Sequence, residues 1–129
     1  MASGGGGGGS GGIPIPLVVR YAFTFQGNLD TTDNALIPWL PGQGDSVTKA
    51  TGQVKSAPAG TDITIDILLI KRSDGSTVST LGTLTIASGN LVGDLVFSST
   101  LVDSDHALAI SITQVGSISA GANLTVVVT

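Results

Sequence analysis

The 129 residues include nine Asp, no Glu, five Lys plus Arg, one His and no Cys, for a formal charge of −4. An acidic balance with so few cations argues against a nucleic-acid binder, which needs clustered Lys and Arg to displace counterions. Without Cys there are no disulfides, thiolate metal sites or cysteine nucleophiles.

Eight of the 19 glycines fall in the first twelve residues. Residues 1–16 therefore read as a Gly-rich arm closed by an apolar hook, Ile13-Pro14-Ile15-Pro16. Each proline fixes its own φ and restrains the residue before it, so the hook is stiff and extended. The glycines lack the every-third-residue period of a collagen helix. The opening residues show neither the basic region nor the apolar region of a secretory signal. No apolar run approaches the roughly 18 residues that would span a bilayer as a helix.

Residues 17–129 read as one β domain. From Leu17 to Gln26 the chain alternates, with Leu17, Val19, Tyr21, Phe23 and Phe25 on one face, which predicts a long half-buried strand. A polar loop follows from Gly27 to Asn34. Ala35 to Trp39 is a short strand that Pro38 and Pro41 confine to an edge or turn. Ser46 to Lys55 is a polar, weakly alternating strand. Thr61 to Lys71 carries the strongest pattern: Ile63, Ile65, Ile67 and Leu69 share one face, while Leu68 and Ile70 suggest that its second half is buried on both. Asp74-Gly75 signals a hairpin, and strands are expected at Thr77–Thr80 and Thr83–Ala87. Beyond a turn at Ser88-Gly89-Asn90 come strands at Gly93–Leu101, Ala107–Val115 and Asn123–Thr129, with a corner at Asp103-Ser104-Asp105.

No segment has a capped 3.6-residue apolar period. Seven to nine short strands imply an all-β fold, an antiparallel two-sheet β-sandwich of jelly-roll type, with an extended Gly-rich N-terminal arm.

Few residues suggest chemistry. His106, the lone imidazole, is flanked by Asp103 and Asp105 with serines nearby, but nothing resembles a nucleophile elbow, so it reads as a corner residue. Asp30-Thr31-Thr32-Asp33-Asn34 and Asp103-Ser104-Asp105 offer oxygen ligands for Ca²⁺, yet neither follows an EF-hand loop and both suit turns. No phosphate-binding loop occurs. We therefore expect no enzyme activity, no catalytic residue, no cofactor and no metal. Trp39, between Pro38 and Pro41, is a candidate contact residue, as a sugar-stacking platform, an interface anchor or a lid over the sandwich. With Ile13, Pro14, Ile15 and Pro16 it completes the candidate partner-binding set.

Four phrases in the second half carry a resemblance: Thr61-Asp62-Ile63-Thr64-Ile65-Asp66-Ile67-Leu68, Leu84-Thr85-Ile86-Ala87-Ser88-Gly89, Leu108-Ala109-Ile110-Ser111-Ile112-Thr113-Gln114-Val115-Gly116-Ser117 and Ala120-Gly121-Ala122-Asn123-Leu124-Thr125-Val126. Over residues 57–129 the chain resembles a β-sandwich module of tailed-bacteriophage virion proteins, among them tail-fibre and minor structural proteins. The resemblance implies a sandwich fold and a virion setting, and transfers no binding site. The expectation is a capsid decoration (cement) protein on the virion surface, made in the host cytoplasm. It would bind the major capsid protein and neighbouring copies of itself, as a trimer by analogy, with no nucleic-acid or membrane partner. The alternative is a tail-fibre or receptor-binding module that recognises host surface glycan.

Overall fold

The computed structural model describes residues 21–37 and 45–129. In chain order the strands are β1 (Tyr21–Asn28), β2 (Asn34–Ile37), β3 (Asp45–Ser56), β4 (Ile63–Lys71), β5 (Thr77–Ile86), β6 (Val92–Val102), β7 (His106–Gln114) and β8 (Ala122–Val128). They form two four-stranded antiparallel sheets, ordered β1-β8-β3-β6 and β2-β7-β4-β5. Every strand thus lies beside the one that mirrors it in the chain, β1 with β8, β2 with β7, β3 with β6 and β4 with β5. That pattern is one long hairpin rolled into a sandwich, the topology of an eight-stranded jelly roll.

The tip of the rolled hairpin is the Asp74-Gly75 turn. Gly75 adopts φ +74°, a left-handed conformation that costs glycine little, and its N–H donates to the Lys71 carbonyl at 2.8 Å. Asp74 Oδ1 accepts from both the Ser76 N–H at 2.9 Å and the Ser76 hydroxyl at 2.6 Å. The other two turns also behave as the sequence suggests: Gly89 has positive φ, and Asp103 Oδ1 accepts the Asp105 N–H.

Alternation decides what enters the core. Ile63, Ile65 and Ile67 of β4 are fully buried and pack with Leu84 and Ile86 of β5 and with Leu108, Ile110 and Ile112 of β7. From the opposite sheet come Tyr21 and Phe23, Val47, Ala50 and Val54, and Leu124, Val126 and Val128. Each such aliphatic side chain contributes about 1.5–3 kcal/mol of transfer free energy. Among the described residues no polar or charged side chain is buried. On the other face of β4, Ile70 is buried and Leu68 half-buried, so the strand's second half is largely shielded on both sides.

The observed strands depart from the sequence pattern chiefly at β1 and β5. β1 continues through Gly27 to Asn28 over a register shift, held by Asn123 Oδ1, which accepts the Gly27 N–H at 2.9 Å. The two strands expected at 77–80 and 83–87 are one strand, β5, whose pairing with β4 skips Val78 and Leu81. These bulges put an extra residue into a continuous ladder, so Leu81-Gly82 only looks like a break. β2 is confirmed as an edge strand but is described only to Ile37. Leu17 to Arg20, also expected in the first strand, lies outside the described residues, as do Trp39 and the arm.

At one flank the two sheets close on each other. A Cβ at Gly93 of β6 would overlap the Thr85 carbonyl oxygen of β5, and one at Gly82 of β5 would press on Leu95 of β6. Glycine at position 93 is what lets these two backbones meet. Among the described residues no helix is long and apolar enough to cross a membrane.

Candidate functional site: an exposed edge and a polar cleft

Two surfaces stand out. The first is β6, the edge of its sheet. Its pairing with β3 is regular from Gln53↔Val92 to Lys49↔Val96, then shifts before Val47↔Thr100. Inward-leaning Leu95 and Phe97 pack against the core. On the outward face Val92 is 46% exposed, Val96 75% and Leu101 53%, with Leu91 just ahead of the strand at 47%. Asp94 is the only charged residue of the strand; it accepts from Thr51 Oγ1 at 2.6 Å and lies 3.9 Å from Lys49 Nζ. Soluble proteins commonly protect such an edge with lysine or proline, and β6 contains neither.

The second is a cleft of about 500 Å³ lined by Lys71, Arg72, Ser73, Ser104, Asp105 and His106. It lies where the β4–β5 turn meets the β6–β7 corner, and cross-hydrogen bonds hold the two together. The Arg72 N–H donates to the Asp105 carbonyl at 3.0 Å, and Arg72 Nη1 donates to the Ser104 carbonyl at 2.8 Å. Lys71 and His106 are partners in the β4–β7 ladder. His106 Nδ1 stands 2.6 Å from Asp103 Oδ1, which places a proton on Nδ1 and leaves Nε2 for a ligand. Hydrogen bonds from His106 and from the Asp105 N–H hold the Asp103 carboxyl below its ordinary pKa. Residues with ammonium, guanidinium, imidazole, carboxylate and hydroxyl side chains thus line one space. That mixture suits a polar ligand whose groups both donate and accept, such as a sugar.

The candidate calcium loops use their carboxylates locally. Asp30 Oδ1 accepts from the Thr32 N–H and hydroxyl, and Asp33 Oδ2 from the Asp30 N–H. The Thr32 bonds also keep the Asp30 pKa low. Among the described residues no group of three or more His, Asp, Glu or Cys is arranged to hold a metal ion. Of the sequence-derived contact set, Ile13, Pro14, Ile15, Pro16 and Trp39 all lie outside the described residues. Those bordering Trp39's segment are Ile37, opposite Leu108, and Asp45, opposite Val102. They bracket the β6–β7 corner that forms one wall of the cleft.

Sequence reasoning missed the β6 edge and, of the cleft, singled out only the Ser104, Asp105 and His106 corner. Lys71-Arg72, two of the five basic residues side by side, is a visible signal for the cleft. The Val92–Val96 stripe has a weaker one, because Leu95 and Phe97 make both faces of the strand look apolar, and only the sheet order shows that one face is bare.

Comparison with protein-family models, with curated proteins and with solved structures finds no match.

Proposed function

We propose that this chain is a structural protein of a bacteriophage virion, a capsid decoration protein that binds the major capsid protein and neighbouring copies of itself. The observation that carries this reading is the exposed apolar stripe of β6, set on a β-sandwich in a chain with few charges. An exposed apolar strip at a sheet edge marks a contact surface. The jelly roll is an architecture used by viral capsid and lectin domains, and the phrases of residues 57–129 resemble phage virion modules. The apolar hook at Ile13–Pro16 would add a second point of attachment, and attachment at two points multiplies affinity through effective concentration.

Deleting residues 1–16 should leave a folded sandwich that no longer occupies capsids. Antibody labelling of purified particles should decorate the shell. Normal capsid occupancy by the truncated protein would remove the arm from the mechanism, and the absence of label from particles would overturn the virion reading.

The cleft favours a second reading, recognition of a host surface glycan by a tail-fibre module. Label confined to the tail, with saccharide-induced NMR shifts at Lys71, Arg72 and His106, would establish it in place of the first.

A further inference from the structure

We propose that residues 13–20 of one copy pair as an added strand along the Val92–Val96 edge of a second copy, joining subunits head to tail. The inference rests on the contact reading above and names the occupant of the β6 edge.

Backbone parity supports it. In an extended strand the N–H and C=O of successive residues point to alternate sides, so residues 13, 15, 17 and 19 share one side and 14, 16, 18 and 20 the other. Pro14 and Pro16 lack an N–H on the same side, and the opposite side keeps every donor. A strand with that pattern is fitted to pair on one side only, which is where proline is tolerated in a sheet. On the paired side, cross-strand neighbours lie about 4.5–5.5 Å apart at Cβ. Ile13, Ile15 and Leu17 would then stand beside Val92 and Val96, which are 46% and 75% exposed. Five residues, 13 to 17, match the five over which β6 pairs regularly with β3.

Reach agrees. The chain enters the described fold at Tyr21 of β1, and β1 and β6 are the opposite edges of one sheet. With residues 13–17 seated on Val92–Val96, residues 18–20 connect them to Tyr21, a span of up to about 14 Å from Leu17 when extended. One edge thus carries the segment and the other accepts it, which is the requirement for a head-to-tail contact.

The absence of Cys makes the test clean. Full-length Val96→Cys protein is mixed under oxidising conditions with Ile13→Cys protein or with Leu17→Cys protein. Each chain has a single thiol, so every disulfide joins two copies. A mixed disulfide with one of the two partners is expected, and its identity gives the strand direction. Only Val96–Val96 disulfides, or none, would overturn the proposal. A second measurement uses parity: Leu17→Pro should weaken self-association in sedimentation by about tenfold, while Val18→Pro changes it less than about twofold. Equal effects, or a wild-type chain that stays monomeric at high concentration, would also overturn it. No capsid is present in these measurements, so their failure would leave the virion reading to the labelling experiment.

Discussion

β4 and β6 are both apolar strands, and they use that apolarity in opposite ways. β4 lies inside its sheet between β7 and β5 and buries Ile63, Ile65 and Ile67 completely. β6 lies at an edge and leaves Val92, Val96 and Leu101 about half exposed or more. The free energy of burying β4 side chains is realised when the chain folds. That of burying the β6 stripe becomes available only when something binds. An apolar residue on an edge strand is therefore a statement about partners, and one on a central strand a statement about stability.

The sharpest way to break this contrast is to truncate both strands. Ile65→Ala should cost about 2–5 kcal/mol, because the close-packed core cannot fill the cavity left behind, and urea unfolding would measure it. Next in size is Gly93→Ala, where the new methyl group meets the Thr85 carbonyl. Forcing the two sheets apart at this flank should cost about 1–3 kcal/mol. Val96→Ser should change stability by less than about 0.5 kcal/mol while reducing self-association and capsid occupancy. A large loss of stability in Val96→Ser would erase the distinction between the two strands.

The smallest effect concerns the corner beside β6. The Asp103 pKa is lowered in the folded chain, so its contribution is present above the ordinary carboxylate pKa of about 3.9 and is lost as pH falls through the depressed folded value. Asp103→Asn should therefore lower the melting temperature at pH 6, with the gap to wild type closing as pH approaches about 2. A gap that stays constant over that range would show that the His106 and Asp105 hydrogen bonds do not set it.

Much of the fold was legible because half-buried strands write their faces into the sequence. Tyr21 and Phe23, and Ile63, Ile65 and Ile67, alternate with more exposed residues as the pattern requires. Asp74-Gly75 and Asp103-Ser104-Asp105 announce their turns through residues with specific roles in them. The bulges of β5 were not legible, since an extra residue at Leu81 breaks alternation just as a loop would. The exposed stripe of β6 was not legible either. Val96 would suit a core position equally well, and its exposure follows from strand order, a property of pairings between residues far apart in the chain.

Those distant pairings also bear on how the protein comes into being. β1 hydrogen-bonds to β8, which leaves the ribosome about a hundred residues later, a delay of about 5–20 s at ordinary synthesis rates. Until then the apolar face of Tyr21 and Phe23 has no permanent neighbour. Among the described strands, β4 and β5, joined by the Asp74-Gly75 turn, are the one hydrogen-bonded pair adjacent in time as well as space. Folding is therefore expected to start at this turn and finish at β8, on the slow, millisecond-to-second scale of chains dominated by distant pairings.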